Sequence, residues 1–573
     1  MSNGPWTFGP FVLDAAGFRL LNGSRPVPLE RLAFELLVML VERHGELVRR
    51  GEIAARLWNS DAEVDTEAGL HTVVRKLRSA IGDSAERPVF IETVPGKGYR
   101  FVAAVSPTVT IAVLPFEDAS GGMADEHLAD GVTEGLIAAL GGAASDRIRV
   151  IARTSSMAYR RVRRTAQEIG RELGADYLVE GTVRRQDQRL RIAATLVRAR
   201  DHVQLWSEVY DRSPADLATL ERELAATIAS EAGFAVRSAT RSTTDTLTHD
   251  PDAQDLYLRG RWYWHHRSAD AMVRAEQCFL GALAKAPAYA PAHAALARTY
   301  ILQILINTAD AVDRWARARA AVGAAMQLDP DLAEAHAAAA IMDFYVGWDW
   351  AAAERSFLRA IDVNPNDAIA HQFYAHLLSN SLRHAEAIAE IERARAIDPL
   401  DPSMHNLAAM FYALAGRHDA GFAAVRHALT LAREHFQAHA VFGHLYDRTG
   451  DPDAALESYR SAHRLSGGNV FMLGFQGGVL GRMGRHDDAR QIVATLEQIA
   501  RSRHVPPSAF ALVFAGLGDH DAAFHSLDRA YASRDVFLIS LPCAHWWDAL
   551  RSDRRFRSLL QRTGFRQVGT AAR

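Results

Sequence analysis

The segment Leu70-His71-Thr72-Val73-Val74-Arg75-Lys76-Leu77-Arg78-Ser79-Ala80-Ile81, followed by Phe90-Ile91-Glu92-Thr93-Val94-Pro95-Gly96-Lys97-Gly98-Tyr99-Arg100-Phe101, decides how the first hundred residues fold. In its first half Leu70, Val74, Leu77 and Ile81 recur at steps of 4, 3 and 4, which lays one apolar stripe along a helix. Ala68, Thr72, Arg75 and Ser79 then point away from the stripe, flanked by His71, Lys76 and Arg78. The outer face carries three cations and no acid. Asp65 or Thr66 is placed to cap the helix start, and Gly82-Asp83 ends it.

The second half reads as two strands, Phe90 to Thr93 and Tyr99 to Ala103, joined by a turn whose glycines allow positive φ. This is a β-wing with Lys97 at its tip. A helix with a cationic outer face fits the major groove, where arginine makes paired hydrogen bonds to guanine, while a basic wing reaches neighbouring phosphate. Charge alone does not decide the matter. The first 105 residues balance 13 basic against 13 acidic side chains, so a merely solvated helix face stands as the alternative.

From about Phe8 to Val105 the sequence resembles the OmpR/PhoB-type winged helix-turn-helix family. The resemblance rests on Arg75-Lys76-Leu77-Arg78 before Gly82-Asp83, and on Ile91 through Phe101. It implies that the helix bearing these cations is the recognition helix, that the hairpin is the wing, and that the loop from Trp58 to Asp65 touches RNA polymerase. Pro95 stands where many relatives carry a basic residue, which implies fewer wing contacts.

Beyond this segment, 573 residues exceed one domain, and 49% hydrophobic with 23% charged residues is a globular composition. A net charge of -3 excludes a protein whose whole surface clings to phosphate, so a nucleic-acid site has to be local. Two cysteines, Cys278 and Cys543, and an opening Met-Ser-Asn-Gly-Pro without a basic-then-apolar leader point to a cytoplasmic chain. No run of about 18 apolar residues is present, so no membrane-spanning helix is expected.

Ser106-Pro107 breaks the first rhythm before a fresh strand, Val109 to Leu114. Asp176 to Val183, Leu190 to Val197 and His202 to Tyr210 then read as successive antiparallel strands of a compact α/β unit. Ile111 to Phe116, Leu128 to Glu134 and Gly174 to Gly181 resemble the amino-terminal domain of TolB, a small binding fold that brings no catalytic residue with it. Residues 147–200 hold 14 arginines against 5 acids, Arg160, Arg161, Arg163 and Arg164 among them. Without interleaved aromatics this reads as a solvated face rather than a phosphate-binding one.

After the polar stretch Arg241 to Asp250, helical periodicity continues almost to the end. Gly416, Gly450, Gly484 and Gly518 are 34 residues apart, each before a charged helix start. Pro287, Pro330, Pro365 and Pro399, spaced 43, 35 and 34, close helices in the earlier units. This period resembles the tetratricopeptide repeat, in which successive helix pairs stack into a superhelix with a groove. Tyr257, Trp262, Tyr263 and Trp264 at one end and Trp546-Trp547 at the other read as packing and capping groups rather than a ligand pocket. His435, His439 and His444 find no companion Cys or carboxylate, and no metal site is expected.

The fold expected is multidomain: an α+β winged helix over 1–105, a small α/β TolB-like domain over 106–242, and an all-α tetratricopeptide superhelix of about eight repeats with a capping helix over 243–573. The function expected is a transcriptional regulator that binds promoter DNA through His71, Thr72, Arg75, Lys76 and Arg78 on the helix and Lys97 and Arg100 on the wing. Further expected partners are RNA polymerase, a protein or small-molecule signal at the repeats, and a second copy on DNA. No phosphate loop, nucleophile elbow or zinc-protease helix occurs, so neither enzyme activity nor a cofactor is expected. Two alternatives are a repeat scaffold whose winged helix binds protein, and a sensor acting through the middle domain.

Overall fold

The computed structural model describes residues 6–9, 11–15, 18–22, 25–58, 66–86, 88–103, 105–107, 109–119, 126–143, 148–186, 189–233, 248, 250–266, 268–305 and 311–565. The chain packs as two compact units, Met1–Ile111 with Ala144–Arg149, and Ala112–Ala143 with Val150–Arg573.

In the first unit, strands β1 (Trp6–Phe8), β2 (Phe11–Asp14), β3 (Arg19–Asn22) and β4 (Arg25–Pro26) precede helix α1 (Arg31–Glu42). Strand β5 (Leu47–Arg49), helices α2 (Arg50–Leu57) and α3 (Thr66–Ile81), strands β6 (Ile91–Val94) and β7 (Gly98–Phe101) and the short β8 (Ser106–Pro107) follow. One antiparallel sheet runs β4–β3–β2–β1–β8, the other β5–β7–β6. Phe8 stacks on Phe11 and meets Phe90 and Phe101 edge-on, so aromatic burial joins the first sheet to the base of the hairpin. Helix α1 buries Leu36, Leu37, Leu40 and Val41 completely beside the Leu70, Val74, Leu77 and Ile81 stripe of α3.

Next along the chain come β9 (Val109–Val113), β10 (Glu117–Asp118), α4 (Glu126–Ala143), β11 (Ile148–Val150), α5 (Arg153–Met157) and α6 (Ala166–Leu173). Strands β12 (Tyr177–Gln186), β13 (Arg189–Arg198) and β14 (Val203–Arg212) and helix α7 (Leu217–Glu231) complete this part. The last three strands form the expected antiparallel meander, Leu178 facing Val197 and Ile192 facing Tyr210, and β10 lies parallel to β12. Arg160 pairs with Asp130 and Glu126, Arg161 with Glu126 and Arg164 with Glu172, so these arginines are largely neutralised by neighbours.

Among the described residues, eight helix pairs follow: α8 (Pro251–His266) with α9 (Ala269–Lys285), α10 (Ala290–Leu305) with α11 (Ala311–Leu328), α12 (Ala333–Met342) with α13 (Trp350–Val363), and α14 (Ala368–Asn380) with α15 (His384–Ile397). The others are α16 (Pro402–Leu414) with α17 (His418–Leu431), α18 (Phe436–Thr449) with α19 (Pro452–Leu465), α20 (Val470–Arg482) with α21 (His486–Ala500), and α22 (Pro507–Leu517) with α23 (His520–Ala532). The four glycines at the period of 34 all adopt positive φ, between 74° and 85°. The same period continues upstream through Leu382 (φ 64°) and Trp348 (φ 53°), where a side chain bears the strained left-handed turn.

A second periodic device is a histidine in the first turn of the leading helix, donating to a carbonyl six residues earlier in the connecting loop. His293 Nε2 reaches Pro287 O at 2.9 Å, His336 reaches Pro330 O at 2.7 Å, His371 reaches Pro365 O at 3.0 Å, and His405 reaches Pro399 O at 2.7 Å. His439 repeats the contact more loosely with Arg433 O at 3.4 Å. These rings tie each loop to the next pair and satisfy a carbonyl left over at a helix end.

The carboxy-terminal tail does more than cap the last pair. Trp547 and Leu550 lie in a 3-10 turn, not a closing helix, and both are fully buried. Phe537 and Trp546 stack on one another against Phe475 of α20 and His444 of α18. Helix α24 (Arg554–Arg562) returns the chain to the third pair, where Trp350 Nε1 donates to Thr563 O at 2.9 Å and Arg534 lies over the Trp348 ring.

The α/β part is fused to the repeats. Ser155 Oγ and N–H donate to Asp398 at 2.5 and 2.8 Å, and Ala152 N–H donates to Ile397 O at 2.8 Å. On the other side Glu134 of α4 meets Arg261 at 2.8 Å and His265 at 3.0 Å, both on α8. Gly131 allows this approach, since a Cβ there would lie 2.6 Å from Leu258 Cδ2 of α8, while Gly135 makes room for Glu221 of α7, whose Oε1 would lie 2.0 Å from a Cβ.

Two outcomes follow for unfolding experiments. Leu382 is half exposed, so Leu382→Gly relieves the left-handed turn with little packing lost and is expected to raise the urea-unfolding free energy by roughly 0.5–1 kcal/mol; an unchanged or lowered value would refute the strain. Burial holds His265, His376 and His405 down to about 4 and His444 to about 3, so below pH 6.5 the unfolded chain binds protons that the folded chain refuses. Burial pushes the Glu221 and Asp398 carboxyls up, to about 8 and about 6, and these act in the opposite sense. Burial also lowers His384 and His435 and raises Asp343 and Asp535, so six rings stand against four carboxyls and stability present above pH 6.5 is expected to fall toward pH 4, with Glu221→Gln steepening the loss in pH-dependent urea titrations.

Candidate nucleic-acid interface

Helix α3 owes its orientation to its buried side: Leu70, Val73, Val74, Leu77 and Ile81 are all under 8% exposed. His71, Thr72, Arg75 and Lys76 are consequently turned outward and exposed. The far end of the helix is locked to the wing by Asp83. Its two carboxylate oxygens accept from Val89 N–H at 2.7 Å and Ile91 N–H at 2.8 Å, and the side chain is fully buried.

Arg78 works on the same joint. Its Nη2 donates to Ile91 O at 2.6 Å and Thr93 Oγ1 at 3.0 Å, and only 12% of the side chain is exposed. Its charge is spent between helix and hairpin rather than held out to solvent, a different position from the outer face that helical spacing assigned it. The signal that would have found this is the apolar neighbourhood: Arg78 adjoins Leu77 and lies one turn from Val74 and Ile81.

The remaining cations divide into paired and unpaired. Lys76 Nζ meets Glu30 at 2.7 Å and Arg100 meets Glu92 at 3.0 Å, both exposed pairs that cost little to exchange for another anion. Arg75 and Lys97 make no ion pair among the described residues. Lys97 sits at the exposed tip of the hairpin, next to Gly96 at φ 70°. Behind the tip, a Cβ on Gly98 would lie 2.0 Å from Val48 O, so glycine alone lets β7 lie against β5. The polymerase-contacting loop expected from Trp58 to Asp65 lies, past Trp58, outside the described residues, as do the side chains of Asp65 and Thr66.

A three-helix core with an outward cationic helix and a hairpin pinned beside it defines a winged helix-turn-helix domain of the transcriptional-regulator class. Residues 24–101 match the family model described as "Transcriptional regulatory protein, C terminal". Residues 107–227, within which lie the stretches resembling TolB, match the second domain of HilA/YgeH-like transcriptional regulators, and residues 436–468 match a tetratricopeptide repeat.

Among curated proteins, a putative adenylate cyclase 3 of Rhizobium meliloti is 32% identical over 207 residues, 36% of this chain and 34% of that protein. The transcriptional regulator HilA of Salmonella typhimurium is 35% identical over 126 residues, 20% of this chain and 22% of its own length. The chain thus spans between a fifth and a third of these relatives. The crystal structure of the Klebsiella pneumoniae RstA DNA-binding domain with its RstA box is 25% identical, covering 17% of this chain and 96% of that one at a TM-score of 0.16.

The two arginines of α3 should separate cleanly in stability measurements. Arg78→Ala leaves the Ile91 carbonyl without its donor and is expected to cost about 2 kcal/mol in denaturant unfolding of the winged helix. Arg75→Ala, on an exposed face, is expected to change stability by less than about 0.5 kcal/mol.

Proposed function

We propose that the protein is a transcriptional regulator that binds promoter DNA, with α3 in the major groove and the wing on the adjacent backbone. The observation that carries this is the outward face of α3, where Arg75, His71 and Thr72 stand exposed on a helix held rigidly to a hairpin tipped by Lys97. Arg75 is suited to the paired acceptors of guanine, with His71 and Thr72 beside it for base edges. Lys97 takes wing phosphate, and Lys76 and Arg100 exchange Glu30 and Glu92 for phosphate on binding. Arg78 acts by positioning the wing.

The matches to regulator domains support this reading over an enzyme, and the name of the Rhizobium relative belongs to that protein. The repeats receive a protein or small-molecule signal, RNA polymerase is met through the loop after Trp58, and a second copy joins on DNA. A cytoplasmic location fits the absence, among the described residues, of any helix long and apolar enough to cross a membrane.

Gel-shift titration across salt tests the assignment. Lys97→Ala is expected to lower the slope of log K against log salt by about 0.9, the share of one lost phosphate contact, and Arg75→Ala to weaken promoter binding and relax its sequence preference. A slope equal to that of the unaltered chain counts against the interface, and specific protein capture with no enriched genomic DNA would favour the scaffold reading.

A further inference from the structure

The first helices of pairs one to six frame a cavity of about 260 Å³ that the folded-back tail leaves open. Its walls are mostly aliphatic and aromatic, with Ile301 of α10, Ile369 and Phe373 of α14 among them. At the end nearer the second pair, the Arg298 guanidinium lies 4.6 Å over the Trp264 ring and forms no ion pair among the described residues. Toward the fifth and sixth pairs, Asn406 is 5% exposed and its Oδ1 accepts no hydrogen bond. His435 Nδ1 is likewise buried without a partner, while its Nε2 lies 3.5 Å from Ser403 Oγ.

A buried amide oxygen without a donor is rare in a folded protein, because its lost hydration goes uncompensated. Asn406 Oδ1 is an acceptor, so what fits against it is an O–H or N–H, while the role of His435 Nδ1 follows the tautomer of its ring. The unpaired guanidinium at the other end calls for an anion. Between them Ile301, Ile369 and Phe373 line the wall with Gln372 beside them, and Asp401 stands at the Asn406 end, away from the guanidinium. The volume is below the roughly 300–1,000 Å³ of a common ligand cleft, which suits a slim molecule of about a dozen heavy atoms better than a partner's helix. The neighbouring face is already filled by Phe537 and Trp546 of the tail, which leaves less room for a protein.

We infer that this cavity binds a small aliphatic carboxylic acid carrying a hydroxyl group toward its far end: carboxylate at Arg298, chain along Ile301, Ile369 and Phe373, hydroxyl donated to Asn406 Oδ1. The inference deepens the proposal that the repeats receive the regulator's signal, and it rests on that reading only for its consequence at DNA. The binding itself stands on the cavity.

Calorimetric titration of the full chain with dodecanoate, 12-hydroxydodecanoate and dodecylamine tests it. The hydroxy acid is expected to bind about tenfold more tightly than dodecanoate, and the amine not to bind. Arg298→Gln should weaken both acids by about tenfold or more. Asn406→Leu should erase the advantage of the hydroxyl while leaving dodecanoate unaffected, and Asn406→Asp, which keeps an acceptor, should retain it. No heat with either acid, equal affinity for acid and amine, or a hydroxyl advantage that survives Asn406→Leu overturns the assignment, as does a cavity that takes an extended peptide and neither acid. Gel shifts on the same preparation keep the two proposals apart: intact DNA binding without acid binding sinks the ligand alone, and acid binding without DNA binding sinks the regulator reading alone.

Discussion

A pair of helices some thirty residues long exposes more apolar surface than it can cover by itself, and this imbalance organises most of the chain. Each pair is satisfied only by its neighbours, so every turn between helices must reverse the chain in the same sense. That requirement places a left-handed residue at intervals of 34 from Trp348 to Gly518. Glycine meets it without strain in the last four turns, and the two earlier turns meet it with side chains. Surface still uncovered after stacking is taken up by the tail, which buries Trp547, Leu550 and Phe556 against the stack.

The winged helix solves a different problem. A recognition helix is useful only if its outward face is aimed, and aim requires that the wing not swing. Asp83 and Arg78 accomplish this with opposite charges on one joint, the carboxylate receiving two backbone N–H groups of the hairpin and the guanidinium donating to a carbonyl and a hydroxyl of the same strand. Two charged groups buried this way are stable because each has several partners, whereas either alone would be costly. Rigid presentation of Arg75 is the result.

Much of this was legible in the residues themselves. The stripe of α3, the hairpin, the three-stranded meander and the glycine period are all local patterns whose spacing reports the structure directly. What stayed hidden depends on sequence-distant partners. Arg78 looks like an outward cation because helical spacing cannot see a strand thirteen residues away. Trp546 looks like an end cap because its partners, His444 of α18 and Phe475 of α20, are distant in sequence. A Pro-to-His spacing of six, repeated at 287, 330, 365 and 399, is present in the sequence, but nothing local marks it as a hydrogen bond. The tie between the α/β part and the repeats, made by Ser155 with Asp398 and by Glu134 with Arg261, left no local trace.

That tie limits how such a gene can be shuffled. The change of rhythm near residue 242 marks a natural place for recombination, but a chimaera joining this α/β part to a foreign solenoid would strand Glu134 and Ser155 with their counterparts Arg261 and Asp398 missing. Inheritance of the two parts as one block is the expected outcome, so that when lineages trade regulatory inputs they would exchange the whole assembly rather than the solenoid alone.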